Sequence, residues 1–178
     1  QHVAKMGITS LGFEAASTTF DQWQQWTKKL GVELVAAPDL FGKLRMVKTE
    51  QEIAWVQEAA KISDQAFNHI LRMIQPGVSE LDIALDLEFY MRRLGADVAF
   101  PSIVVSGERS ARPHGKPSEK LLESGDFLTL DFGAKVHGYH SDMTRTVVVG
   151  EATDRHREVY NLVLEAQLAA IAAMKPGV

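Results

Sequence analysis

The sequence predicts an α+β fold. Two stretches, 49–75 and 79–94, carry the apolar spacing of amphipathic helices. They are followed by β-prone runs at 99–105 and 127–149 rather than alternating with them one by one. A smaller α/β piece precedes both.

That first piece extends to about Lys43. Ser10–Glu14 reads as a strand, Thr19–Leu30 as a short amphipathic helix ending at Gly31, and Val32–Ala36 as a second strand. Pro38 and Gly42 punctuate a connector. Trp23 and Trp26, three residues apart, share a helix face and read as packing residues. The second part opens on a capping box, Thr49-Glu-Gln-Glu52. Apolar residues from Ile53 through Val56, Ala60, Phe67 and Ile70 to Ile74 then mark a long helix, which Gln75-Pro76-Gly77 ends. Ser79-Glu-Leu-Asp82 caps another helix that runs to about Leu94. Ala99–Val105 is a strand candidate, Ser106–Ser118 a polar loop, and Thr153 the cap of a final helix reaching about Met174. The run Met73-Ile-Gln-Pro-Gly-Val78 is echoed by Met174-Lys-Pro-Gly-Val178, about one hundred residues later. Either Pro-Gly is simply a generic helix stop, or a helix–helix–sheet unit is duplicated.

A length of 178 residues accommodates one domain and part of another. With 46% apolar and 24% charged residues the composition is that of an ordinary globular protein. A net charge of −4 gives no sign of a nucleic-acid or membrane surface. The absence of Cys removes disulfides, thiolate nucleophiles and Cys-zinc sites. It fits a reducing compartment, and a cytoplasmic location is expected. No signal peptide or spanning segment is visible, since the longest apolar stretch, Leu162–Met174, is interrupted by Glu165 and Gln167. The chain starts at Gln1 and stops at Val178, directly after Lys175-Pro-Gly. A piece of a longer protein is expected, with further sequence on both sides.

The most informative residues are two aspartates eleven positions apart, Asp131 and Asp142. Each adjoins a strand-like run, and Gly133 and Gly138 between them permit a reversal. A hairpin symmetric about Val136 and His137 places Asp131 directly opposite Asp142. Opposed Cβ atoms in such a ladder are roughly 4.5–5.5 Å apart, and like charges there repel. A shared proton, a neighbouring base, or one or two metal ions would relieve the repulsion. Both aspartates read as attached to a buried sheet, where an unpaired charge is costly.

A third candidate is His114 in Arg112-Pro-His-Gly115. It reads either as an exposed loop histidine or as a hydrogen-bond donor or proton carrier at the rim of a site. His140, two residues before Asp142, is a rival metal ligand on the same strand face. His137 reads as a turn residue, and Arg145 as a structural partner facing away from Asp142. There is no phosphate loop, no Gly-x-Ser-x-Gly elbow and no His-Glu-x-x-His.

Leu128-Thr-Leu-Asp-Phe-Gly133, Gly138-Tyr-His-Ser-Asp-Met-Thr-Arg-Thr146, Pro113-His-Gly115 and Ile103-Val-Val-Ser-Gly107 together resemble the pita-bread metallopeptidases, in the prolidase and aminopeptidase P branch of Xaa-Pro peptidases. The resemblance covers nearly the whole chain. It implies that 1–43 is the C-terminal part of a creatinase-like N-terminal domain and 44–178 the first half of the catalytic domain, itself a pseudo-twofold duplication. It also implies two divalent ions held by five side chains. Asp131 would bind one ion and Asp142 would bridge both, while His114 would contact the substrate. His140 falls at no ligand position of the family and is demoted. The other ligands, one histidine and two glutamates, belong beyond Val178, so this chain alone is expected to be inactive. Oxygen-rich ligation suits Mn2+, with Co2+ or Zn2+ as alternatives. The implied substrate is a proline-containing dipeptide or short peptide, and a homodimer is expected. Two other readings stay open: a non-catalytic binding module on the same fold, and a creatinase-like hydrolase. Creatinase works without metal and lacks the paired aspartates, so Asp131 and Asp142 argue against it.

Overall fold

The computed structural model describes residues 2–37 and 39–178. By internal contacts the chain divides into two compact units, 1–49 and 50–178.

The first unit comprises α1 (His2–Lys5), β1 (Ser10–Glu14), α2 (Phe20–Leu30), β2 (Glu33–Ala37) and α3 (Leu40–Met46). β1 and β2 are parallel, with Ser10 opposite Glu33, and α2 is the crossover that parallel pairing requires. Thr19 begins α2 with a reciprocal capping box. Its hydroxyl accepts the Gln22 N–H, and the Gln22 side chain accepts the Thr19 N–H. The tryptophans are less buried than their spacing suggests. Trp23 is half-buried and lies tilted against Phe20 with ring centroids 5.8 Å apart, Trp26 is 37% exposed, and α2 has no fully buried residue. Two five-residue strands offer too little face to cover them. The expected connector is instead a helix. Gly42 lies inside α3, with its N–H bonded to the Asp39 carboxylate at 2.6 Å, and Pro38 lies outside the described residues. Because α3 carries the chain through Lys43 to Met46, the two units meet at Thr49 and Glu50.

The second unit comprises α4 (Glu50–Ile70), α5 (Glu80–Arg93), β3 (Asp97–Val98), β4 (Ile103–Ser106), a 3-10 turn (Gly107–Ala111), β5 (Phe127–Phe132), β6 (Ala134–Val136), β7 (Tyr139–His140), β8 (Met143–Val148) and α6 (Asp154–Ala173). The strands form two antiparallel sheets, ordered β3-β6-β7 and β4-β5-β8. Along α4 the buried positions are Ala59, Ile62, Ser63, Ala66 and Ile70, spaced as one helix stripe. This stripe packs with Ile83, Leu87 and Met91 of α5 onto Leu128, Leu130 and Phe132 of β5. β5 alternates strictly, so these three side chains point to the core while Phe127, Thr129 and Asp131 occupy the opposite, half-buried face.

Several boundaries differ from the sequence reading. α4 ends at Ile70, a turn before Gln75, because Leu71 to Met73 form turns although Leu71 and Ile74 prolong the apolar period. Ala99–Val105 is not one strand. Pro101, which has no N–H to donate to a ladder, lies between β3 and β4. Ser79 caps α5 as expected, accepting the Asp82 N–H at 3.0 Å. Thr153 caps α6, which has no buried residue and exposes Leu162 (68%) and Val163 (64%).

The burial pattern of α5 makes a direct test. Ile83 is fully buried and Leu85 is 57% exposed. Ile83→Ala is expected to cost about 2–5 kcal/mol, and Leu85→Ala less than about 0.5 kcal/mol, measured by urea denaturation. Equal losses would mean that the core face of α5 is misassigned.

Candidate functional site

Asp131 and Asp142 belong to one antiparallel ribbon whose turn is His137-Gly138. Both turn residues have positive φ, 50° and 85°, as a type I′ hairpin demands. The ribbon is therefore centred one residue further along than Val136 and His137. Asp131 lies opposite Thr144, not Asp142. The displacement is two residues in register, which preserves the face. Asp142 remains on the side of Asp131, as its diagonal neighbour. Such neighbours are about 7–8 Å apart, not the 4.5–5.5 Å of a direct pair.

The backbone near Asp142 is held by a close approach. A Cβ at residue 133 would lie 2.0 Å from the Ser141 carbonyl oxygen, so only glycine fits there. Ser141 is buried and its hydroxyl meets that of Ser63 at 2.8 Å, while the Ala134 N–H donates to both, at 2.9 and 3.2 Å. This hydroxyl pair links α4 to the segment immediately before Asp142. Ser63 interrupts the apolar stripe of α4, the one sequence signal that would have marked it. Nothing local in the sequence separates the roles of Ser141 and Thr144 from those of ordinary strand residues.

The two carboxylates differ in setting. Asp131 is half-buried, and its Oδ1 is buried without a hydrogen-bond partner. Burial pushes its carboxyl above the ordinary value, and the charge of Asp142 pushes the same way. A hydrogen bond from the Thr144 side chain and the nearby His114 act in the opposite direction. Asp142, read from sequence as attached to a buried sheet, is exposed and lies one residue before β8. His114 is exposed on the loop between the 3-10 turn and β5, within electrostatic reach of Asp131. Asp142 and His114 thus both act electrostatically on Asp131. The face of β5 and β8 that carries Asp131 also lines an open cavity of about 880 Å³ through Thr129, Thr144 and Thr146, with Tyr160 and Val163 of α6 as further lining.

The remaining candidates serve elsewhere. His140 is exposed and pairs with Lys135 in the ladder. His137 occupies the turn, and its ring lies tilted against Trp55 with centroids 5.2 Å apart. Arg145 pairs with Asp64 at 3.7 Å and lies over the Phe67 ring. Among the described residues, no group of three or more His, Cys, Asp or Glu is arranged to hold a metal ion, and no helix is long and apolar enough to cross a membrane.

The raised carboxyl of Asp131 has a consequence for stability. A folded-state value above the unfolded one means that the folded chain holds the proton more tightly. The stability this contributes is present at low pH and is lost as pH rises through the folded value. In chelator, Asp131→Asn is expected to raise the melting temperature at pH 7, and the gain should shrink towards pH 4. Thermal unfolding across that range checks it, and a gain independent of pH would contradict the assignment.

Comparison with known proteins follows the same lines. An uncharacterized peptidase of Bacillus subtilis is 49% identical over 177 residues, covering 98% of this chain and 50% of its own length. A Xaa-Pro dipeptidase of Pyrococcus horikoshii is 38% identical over 174 residues, covering 97% of this chain and 49% of its own. The solved structure of a Xaa-Pro dipeptidase from Bacillus anthracis superposes with a TM-score of 0.92 at 48% identity, over 99% of this chain and 50% of that one. The chain spans about half the length of the relatives it matches. Its α+β architecture is that of the pita-bread fold. Residues 54–178 match the model of metallopeptidase family M24, and the chain belongs to that family.

Proposed function

We propose that this chain carries part of the active site of a metal-dependent Xaa-Pro peptidase, which hydrolyses the bond before proline in dipeptides or short peptides. The observation that carries the reading is the half-buried Asp131, with an unpartnered Oδ1 and with Asp142 and His114 acting on it electrostatically. The names of the relatives, Xaa-Pro dipeptidase and prolidase, support the substrate class.

Membership of a metallopeptidase family implies divalent cations. The residues present fit such a group in kind. Asp131 and Asp142 are hard oxygen donors on one face, and a cation between them would offset both their repulsion and the missing partner of Oδ1. When bound, divalent cations polarise a carbonyl and lower the pKa of water. In this reading Asp131 and Asp142 are ligands of a two-ion centre, and His114 meets the substrate at its rim as a hydrogen-bond donor. Thr144 steadies the Asp131 carboxylate through its hydrogen bond, while Ser141 and Ser63 fix the backbone from which Asp142 projects. The oxygen donors of Asp131 and Asp142 support manganese, with cobalt or zinc as alternatives. A homodimer and a cytoplasmic setting belong to the same proposal.

Two carboxylates are too few ligands to fix a two-ion geometry. The 178-residue chain is therefore expected to turn over no peptide and to give no tight stoichiometric isotherm when titrated calorimetrically with Mn2+. A clear 1:1 or 2:1 isotherm would overturn this part of the reading. In a form of the protein that hydrolyses an Xaa-Pro dipeptide, Asp142→Asn should reduce turnover to background. Retained turnover would show that Asp142 is not a ligand.

A further inference from the structure

Glu80 is the first residue of α5, a position where an acidic side chain is ordinarily solvated beside the helix N-terminus. Here it is fully buried. A buried carboxylate is tolerated only when paired and hydrogen-bonded, and this one is saturated. Its Oε1 accepts from the Ser106 backbone N–H at 2.7 Å, the Ser106 hydroxyl at 3.0 Å and Arg109 Nε at 3.3 Å. Its Oε2 accepts from Arg109 Nε at 3.1 Å, the Ser118 N–H at 3.1 Å and the Ser118 hydroxyl at 2.7 Å.

The choice of partners is informative. Ser106 and Ser118 are the two ends of the polar loop that carries His114, so a single carboxylate closes that loop in the manner of an Ω-loop. The Arg109 guanidinium spans its interior. While Nε holds Glu80, Nη2 donates to the Lys116 carbonyl at 2.6 Å, two residues beyond His114. The planar, forked guanidinium holds both acceptors at once. The α5 backbone reinforces the closure, with the Glu80 N–H donating to the Lys120 carbonyl and the Leu81 N–H to the Ser118 carbonyl, each at 3.0 Å.

We propose that Glu80 and Arg109 are positioning residues that set where His114 stands relative to Asp131. The functional weight of this inference rests on the proposed meeting of His114 with substrate, but its test does not. The histidine ring C–H resonances of the 178-residue chain, followed through a pH titration, report the surroundings of His114, and amide exchange reports the order of residues 107–117. Arg109 is only partly buried, with its side chain 31% exposed, so Arg109→Gln should fold. It is expected to shift or broaden the His114 resonance and to speed loop exchange about tenfold or more. The His69 and His140 resonances should stay unchanged, and exposed Glu119→Gln should leave every reading as in the parent chain. Glu80→Gln should produce the same His114 change more strongly. If it does not fold, the Arg109→Gln result decides alone. An unaltered His114 resonance with unaltered loop exchange in Arg109→Gln would overturn the proposal, as would a fall in melting temperature with no change at His114. Failure of a longer form, with the remaining ligands present, to hydrolyse an Xaa-Pro dipeptide would count against the proposed function and would leave these spectra to be judged by themselves.

Discussion

The candidate site depends on a place where two backbone segments come too close for any side chain. Gly133 faces the Ser141 carbonyl with no room for a Cβ, and the ribbon can close there only because residue 133 has none. From that contact the rest follows. Ser141 is pressed into the core and reaches Ser63, and the Ala134 N–H is satisfied by the two hydroxyls together. Burying hydroxyls in an otherwise apolar stripe is costly unless each finds a partner, and the pair supplies partners reciprocally. Helix α4 is thereby tied to the segment that presents Asp142.

The two carboxylates occupy different dielectric surroundings, and the difference comes from β5. Strict alternation along that strand puts Asp131 on the half-buried face between Thr129 and the closing glycine. Asp142, on the same side of the ribbon, is exposed. Burial pushes the inner carboxyl up, and the charge of the exposed Asp142 pushes it the same way.

What the sequence made legible was local chemistry. Helix starts at Thr19, Ser79 and Thr153 were readable because a capping oxygen and the N–H it accepts lie within three residues of each other. The aspartates and His114 were readable as motif residues. Their convergence was not, and neither was the hydroxyl pair, whose members are 78 residues apart. The register differs by two from a hairpin symmetric about Val136 and His137, because His137, a non-glycine residue, adopts positive φ and places the turn at His137-Gly138. Glu80 was hidden by its position, since an acidic residue at a helix start ordinarily needs no buried partner. The tryptophans of α2 failed in the opposite sense, because helical spacing says which face they share but not whether anything covers it.

The position of the His137-Gly138 turn also governs which insertions and deletions the ribbon can absorb. Side chains alternate with period two, so the hairpin records side and separation independently. The side on which Asp142 emerges depends on whether the register sum is odd or even, and its distance from Asp131 depends on the size of the shift. Adding or losing a single paired residue on one arm would send one aspartate to the core face and the other to the open face. An even change would keep both on the open face and alter only their spacing. Length variation in this segment should therefore come in pairs, a grammar imposed by pleat geometry before any chemistry at the aspartates is considered.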